Sequence, residues 1–214
     1  TVKTAAKELD KTVFSVPTIC SNCSSATAIA VVYNDDHSLK GYAYPDAPAH
    51  IFINPAIIAA APEEYFWAGI GDALSKQPEV EYATSEAELT HTGTLGLTLA
   101  HTCTDPLMAY GEQGLADVRV GQSSEAVRQI ALDIVVNTGY VSNLTNQPDF
   151  YYNSSLAHAF YNATTGVQRP GRTHLHGEVV SFGVLVLFAY TSDTEQLARY
   201  AAFNKKLGLP VTLA

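Results

Sequence analysis

The chain is poor in basic residues and in long apolar runs, and each shortage excludes a class of protein. Its 214 residues hold 12 lysines and arginines against 21 aspartates and glutamates, a formal net charge of −9. A surface of that sign repels the phosphates of nucleic acids. The longest apolar run, Val184 to Tyr190, is far shorter than a transmembrane helix. Because no signal peptide opens the chain either, we expect a cytoplasmic protein that binds neither nucleic acid nor a membrane.

Cysteine is scarce as well. Cys20, Cys23 and Cys103 are odd in number, which argues against a disulfide framework. Cys20 and Cys23 form a C-x-x-C motif, which in a thioredoxin-like protein is a redox site. Pro17 and Thr18 precede the motif and a run of small residues follows it, so the usual strand-to-helix context is missing. A redox protein that uses this pair is an alternative from a different functional class.

The pattern of secondary structure changes near Asn54. Before it, a helix over residues 1–9 is followed by strand patterns at 12–16, 27–33, 41–44 and 50–53. After it, strand signals vanish. The 3.6-residue periodicity then predicts helices over 62–76, 85–110, 124–146, 156–165, 174–190 and 194–206. The fold class is therefore α/β followed by all-α, with an α/β domain over 1–54 and a helical domain over 55–214.

Two histidines and one aspartate offer the ligands of a divalent metal site. His158 lies among small and apolar neighbours, and His176 follows eighteen residues later. Pro170 and Gly171 between them forbid one continuous helix, which predicts two helices that each present an imidazole to a shared cleft. Asp72 adds a carboxylate. Three protein ligands leave one coordination position open, as in catalytic zinc sites, although each residue alone is more often an ordinary packed or solvated side chain.

At these residues the chain resembles the iron-containing alcohol dehydrogenase superfamily, in its glycerol dehydrogenase-like branch. The matching segments are Gly69-Ile70-Gly71-Asp72-Ala73-Leu74, His158 and His176-Gly177-Glu178, and the resemblance runs from residue 1 to residue 214. It implies that Asp72, His158 and His176 bind zinc or iron and are the catalytic residues. Iron-preferring relatives place a further histidine one turn after the aspartate. Lys76 stands there in this chain, which favours zinc over iron.

The resemblance also implies a fold, a cofactor and an assembly. The fold is the remnant of a doubly wound nucleotide-binding domain followed by a helical metal-binding domain. In the family a glycine-rich phosphate loop immediately precedes the segment that matches residues 1–7, and members continue beyond the position of Ala214. We therefore expect both family termini to lie outside this sequence. We expect NAD or NADP as the cofactor, and a homo-oligomer.

A strip of small and hydroxylated residues, from Pro17 to Ile29, resembles the family segment that borders the dinucleotide. By position, the resemblance implies cofactor contacts from Thr18, Ser21, Thr27, Ile29 and Tyr33. Hydroxyls and free amides at a strand-to-loop edge can bind phosphate, ribose or carboxamide. The same composition also suits an ordinary surface turn.

Cys23 falls where glycerol dehydrogenases carry an aspartate that receives the hydroxyls of the polyol. An uncharged thiol there does not repel a substrate carboxylate. Residues 20–23, 31–36 and 141–144 also resemble the hydroxycarboxylate dehydrogenases of the superfamily. We predict a metal-dependent NAD(P) oxidoreductase that interconverts a small 2-hydroxy acid and its carbonyl by hydride transfer. A glycerol dehydrogenase and a truncated, non-catalytic metal-binding scaffold are the alternatives.

Two polar residues beside His176 have open roles. His174 is either a proton relay behind the metal or an ordinary solvated histidine. Glu178 either orients His174 or caps the N-terminus of the second helix.

Overall fold

The computed structural model describes residues 2–36, 38–167 and 174–213. The first part of the chain forms one helix, α1 (Val2–Glu8), and four short strands: β1 (Phe14–Ser15), β2 (Ala30–Tyr33), β3 (Leu39–Ala43) and β4 (His50–Ile51). Strands β1 and β4 pair in parallel, and β2 and β3 form an antiparallel hairpin. The strand patterns predicted at 27–33 and 41–44 therefore form one hairpin.

After residue 54 the chain is mostly helical. The helices are α2 (Pro55–Ala59), α3 (Glu63–Ala73), α4 (Lys76–Thr84), α5 (His91–Ala100), α6 (Thr104–Arg119), α7 (Glu125–Leu132), α8 (Thr138–Thr145), α9 (Leu156–Thr165), α10 (His176–Tyr190) and α11 (Thr194–Leu207). A π-helical segment, Asp133–Asn137, joins α7 to α8. None of the helices in the described residues is long and apolar enough to cross a bilayer. This order agrees with the predicted fold class.

Several details differ from the sequence prediction, which had no helix at the positions of α2 and α4. The single helix predicted over residues 85–110 is wrong, because the chain turns between α5 and α6, where the Thr102 hydroxyl donates to the Leu99 carbonyl oxygen. The helix predicted over 62–76 ends at Ala73, where the Ser75 hydroxyl donates to the Asp72 carbonyl oxygen. Hydroxyls that bond to nearby carbonyls compete with the helical pattern. A short hairpin, β5 (Asn146–Gln147) with β6 (Phe150–Tyr151), lies where no strand was expected.

The contact between α3 and α10 lies at the centre of the helical part. A Cβ placed on Gly177 would overlap the Ala68 carbonyl oxygen and stand 2.8 Å from the Asp72 amide nitrogen. A Cβ on Gly71 would stand 2.5 Å from the Gly177 carbonyl oxygen. Only glycine allows the two backbones to approach this closely. The approach brings the end of α3 against the start of α10, which are the positions of Asp72 and His176.

We predict that Gly177→Ala destabilises the protein and moves α3 away from α10. Since the new methyl group would meet backbone atoms that cannot rotate away, the free energy of unfolding should fall by at least about 1–3 kcal/mol, the usual cost of overpacking. Chemical denaturation measures this loss. Gly166→Ala is the matched control, because among the described residues a Cβ there would meet only the Ala163 carbonyl oxygen, at 3.8 Å. Equal stability of the two variants would contradict the role given to the helix contact.

Candidate metal centre

Three helices bring the candidate ligands together. Asp72 lies in the last turn of α3, His158 in the first turn of α9, and His176 is the first residue of α10. One ligand atom from each lies within 4.8 Å of the other two. The loop expected between the two histidines falls on residues 166–172, of which 168–172 lie outside the described residues. The two imidazoles do stand on separate helices that face one cleft.

The Asp72 carboxylate lies between the two imidazoles. Its Oδ1 is 2.9 Å from Nε2 of His176 and 3.6 Å from Nε2 of His158. The two imidazole centroids are 5.3 Å apart. Burial acts to raise the pKa of Asp72, but the neighbouring His176 and His158 hold that pKa well below its usual range. The carboxylate is therefore an ionised acceptor facing two ring nitrogens.

The candidate ligand atoms of this cluster fit a divalent cation. Oδ1 of Asp72 is buried and makes no well-directed hydrogen bond among the described residues, although His176 Nε2 is 2.9 Å away. Buried polar atoms without partners are costly. One carboxylate oxygen and two imidazole nitrogens form a ligand set that suits Zn²⁺ and other first-row divalent ions.

Glu79 of α4 holds His158 from behind, and sequence reasoning missed it. Its Oε2 accepts a short hydrogen bond from Nδ1 of His158. Its Oε1 accepts the backbone N–H groups of Ser155 (2.8 Å) and His158 (3.0 Å). Glu79 is fully buried. With Nδ1 bound to Glu79, Nε2 of His158 is the nitrogen that faces Asp72 and is available to a metal.

Glu79 and His158 each shift the pKa of the other toward its charged form. Burial acts to raise the pKa of Glu79, yet His158 keeps it below its usual value. Burial acts to lower the pKa of His158, whereas Glu79 and Asp72 together raise it to about 10. Two carboxylates thus flank one imidazole. The only sequence signal for Glu79 is its spacing of seven residues, about two helical turns, from Asp72.

Glu178 has both of the roles that the sequence left open. Its Oε1 is 2.9 Å from Nδ1 of His174, and its Oε2 accepts the backbone N–H of Leu175 at 3.1 Å. It therefore orients His174 and caps the start of α10. His174 does not line the cavity described next. Its position favours a structural role over a proton relay.

A cavity of about 550 Å³ opens onto the three candidate ligands. Its walls come from both the α/β part and the helical part of the chain. Among the predicted cofactor contacts, Thr27, Ile29 and Tyr33 line this cavity, whereas Thr18 and Ser21 do not. The cavity thus joins the metal ligands to part of the predicted cofactor strip.

Lys3 of α1 fixes the cofactor strip and was also missed from the sequence. Its Nζ donates to the carbonyl oxygens of Ser24 (2.7 Å), Thr27 (2.6 Å) and Ile29 (2.7 Å). An ammonium group has three donors, so Lys3 uses all of them on this strip. The Thr27 hydroxyl also lies 3.3 Å from Nζ. Thr27 is therefore engaged within the protein, which leaves its hydroxyl less available to a cofactor.

Two further side chains shape the cavity. Tyr161 packs the edge of its ring against His176, with centroids 4.2 Å apart and planes at 88°. Cys23, the predicted substrate residue, is half-buried and lines the cavity, while Cys20 is buried in the core. Burial, and then Asp133, raise the pKa of the Cys20 thiol. Because the thiolate is the reactive form, the redox reading of the Cys20–Cys23 pair loses support.

Comparison with known proteins finds relatives along the whole chain. Hydroxycarboxylate dehydrogenase A of Escherichia coli (strain K12) is 32% identical over 216 residues, which is 100% of this chain and 59% of that protein. Glycerol dehydrogenase of Thermotoga maritima is 31% identical over 222 residues, 100% of this chain and 58% of the relative. No family model matches the chain. The chain spans less than two thirds of the length of these two relatives.

Solved structures agree with these relatives. Glycerol dehydrogenase from Schizosaccharomyces pombe superposes with a TM-score of 0.87 at 27% identity, over 99% of this chain and 53% of that one. An iron-containing alcohol dehydrogenase from Thermotoga maritima superposes with a TM-score of 0.64 at 20% identity, over 95% of this chain and 53% of that one. The second likeness concerns the fold alone. The predicted fold class is therefore confirmed.

We predict that Glu79→Gln weakens metal binding by about 10- to 100-fold, the usual effect of losing a carboxylate behind a histidine ligand. The amide would present a donor where Glu79 now accepts three hydrogen bonds. The dissociation constant for Zn²⁺, measured by competition with a chromogenic chelator, tests this. Glu81→Gln is the matched control on the same helix, because Glu81 is exposed and pairs with His101. Unchanged affinity in Glu79→Gln would show that Glu79 only fastens α9 to α4.

Proposed function

We propose that this chain is part of an iron-containing alcohol dehydrogenase-like protein, and that it carries the metal centre and part of the cofactor cleft of an NAD(P)-dependent oxidoreductase. The proposed reaction interconverts a small 2-hydroxy acid and its 2-oxo acid by hydride transfer. The observation that carries this proposal is the convergence of Asp72, His158 and His176 on the cavity that the cofactor strip also lines. Hydride transfer needs substrate and cofactor held side by side.

Asp72, His158 and His176 are the proposed ligands, and zinc is the proposed metal. Zinc is favoured over iron because Lys76 takes the place of a fourth protein ligand. A bound zinc ion supplies Lewis acidity toward a substrate oxygen. The protein contributes the positions: Glu79 fixes which nitrogen of His158 faces the site, and Tyr161 restricts the His176 ring.

The cofactor is proposed to lie along the small-residue strip. Ile29 and Tyr33 give this wall of the cavity an apolar side chain and an aromatic ring, which suit a flat cofactor ring. Thr27 is proposed as a contact as well, through groups other than the hydroxyl that faces Lys3. Thr18 and Ser21 remain proposals from position in the family, since they lie outside the cavity lining.

A glycerol dehydrogenase is the second candidate, because two of the relatives above carry that name. The two candidates differ in what the cavity should offer the substrate. A polyol is best received by a carboxylate that accepts hydrogen bonds, whereas a 2-hydroxy acid is repelled by one. Cys23 lines the cavity with an uncharged side chain, which favours the acid. A non-catalytic scaffold would not need a cavity shared by metal ligands and cofactor strip.

We predict that His176→Ala reduces turnover by at least about 1000-fold, since several kcal/mol of charge stabilisation depend on the metal. Cofactor affinity should stay within error of the wild type, because His176 belongs to α10 and not to the cofactor strip. Steady-state rates, metal content and NAD(P)H fluorescence titration measure the three quantities. His174→Ala, two residues earlier and outside the cavity lining, should retain both metal and rate. A His176→Ala variant with full metal and normal rate would remove the basis of the proposal.

We predict that Cys23→Asp lowers activity on 2-oxo acids. At an effective dielectric of about 20, two negative charges roughly 6 Å apart repel by around 3 kcal/mol, which is a loss of about two orders of magnitude in kcat/KM. Glycerol should be spared or improved. The measurement is kcat/KM for glycerol and for pyruvate, with Cys23→Asn as an uncharged control of the same shape. Equal losses on both substrates in Cys23→Asp would mean that Cys23 matters only for packing.

A further inference from the structure

Lys76 is a buried cation on the wall of the cavity. Its side chain is 5% exposed, and it lines the same cavity as Asp72 and His158. Its Nζ donates to the backbone oxygen of Asn153 (3.1 Å) and to the side-chain oxygen of Asn153 (2.8 Å). Both acceptors are neutral. The lysine ion pairs among the described residues belong to Lys7 and Lys206.

One of the three N–H donors of Lys76 has no acceptor among the described residues. An ammonium group offers three N–H donors, and two are used on Asn153. Burying a charge without an opposite charge is costly, and a lysine is rarely buried unless it is paired. Lys3, the other lysine of the cavity, donates all three of its N–H groups to carbonyl oxygens. Of these two lysines, Lys76 is therefore the one with charge and a donor to offer a ligand.

The position of Lys76 suits a group beside the metal centre. It follows Asp72 by four residues, and the intervening Leu74 and Ser75 keep right-handed helical dihedral angles. Although α3 ends at Ala73 and α4 begins at Lys76, Asp72 and Lys76 both line the same cavity. A 2-hydroxy or 2-oxo acid carries its carboxylate on the carbon next to its reacting oxygen-bearing carbon. Such a substrate can place one group at the metal ligands and the other at Lys76.

We propose that Lys76 binds the carboxylate of the substrate and so sets a preference for 2-hydroxy and 2-oxo acids over neutral alcohols. This inference rests on the proposed function, because it needs a substrate oxygen near Asp72, His158 and His176. It adds a specificity residue that makes a charge-assisted hydrogen bond to the acid. Cys23 complements it by leaving a second position on the cavity wall without negative charge.

The test compares two ketones with the same carbon skeleton, pyruvate and hydroxyacetone, in wild type and in Lys76→Met. Methionine keeps an unbranched side chain and removes the charge. The ratio of kcat/KM for pyruvate to that for hydroxyacetone should fall by about 10- to 100-fold, the value of one hydrogen bond to a charged group. Lys76→Arg should restore part of the ratio. Calorimetric binding of oxamate, an unreactive analogue of a 2-oxo acid, to the Zn²⁺-loaded protein should weaken in parallel.

The controls separate recognition from a structural clamp. Lys3→Met should lower activity on both ketones together, so that the ratio stays as in the wild type. If Lys76→Met lowers both ketones equally, or loses Zn²⁺, then Lys76 only ties α4 to Asn153 and the inference is overturned. If the wild type reduces neither ketone but binds oxamate through Lys76, the anion site stands and the proposed reaction fails. If it reduces both with a ratio that Lys76→Met leaves unchanged, the reaction stands and the anion site fails.

Discussion

The site depends on the close approach of two helix backbones. Gly177 of α10 lies against Ala68 and Asp72 of α3 with no room for a side chain, and Gly71 lies against the Gly177 carbonyl. This contact sets Asp72 Oδ1 2.9 Å from His176 Nε2. Helix α10 also packs on α9, which carries His158, so α10 is the element that brings all three ligands together, with Glu79 of α4 holding the His158 ring. A rigid packed contact is a better support for such a cluster than a loop.

The two buried carboxylates beside this helix crossing are stable only with positive charge close to them. Asp72 and Glu79 are both buried, and His158 stands between them. With neutral imidazoles the cluster carries two negative charges away from water, which is unfavourable unless something positive joins it. A proton on His158 balances one of the two negative charges, and the two carboxylates therefore raise the pKa of that ring. A bound divalent ion would balance both negative charges, and it would compete with protons for the same imidazole nitrogens.

The sequence predicted the change from strands to helices near residue 54, most of the longer helices and the three candidate ligands, because motifs and periodicity are local. It did not predict α2, α4 or the β5–β6 hairpin. It did not predict the breaks after α3 and between α5 and α6, since the apolar periodicity of the sequence continues across both turns. Glu79 was missed for a different reason. Its partner, His158, lies 79 residues away, and no local pattern in α4 distinguishes it from an exposed glutamate such as Glu81. Thr18 and Ser21 were predicted as cofactor contacts from their position in a family segment; they lie outside the cavity lining and stay predictions.

The two lysines of the cavity show why residue type alone does not assign a role. Lys3 and Lys76 carry the same charge and line the same space, but they differ in what already surrounds them. Three carbonyl oxygens accept the three N–H groups of the Lys3 ammonium, so Lys3 holds the strip from Ser24 to Ile29 in its conformation. Lys76 has two neutral acceptors, both on Asn153, and keeps one N–H donor beside the cavity that it lines. The chemistry at the metal centre would be the same for an alcohol of any charge. In the proposed function, selectivity therefore comes from nearby side chains, and we propose that Lys76 together with the uncharged Cys23 shifts it toward acids.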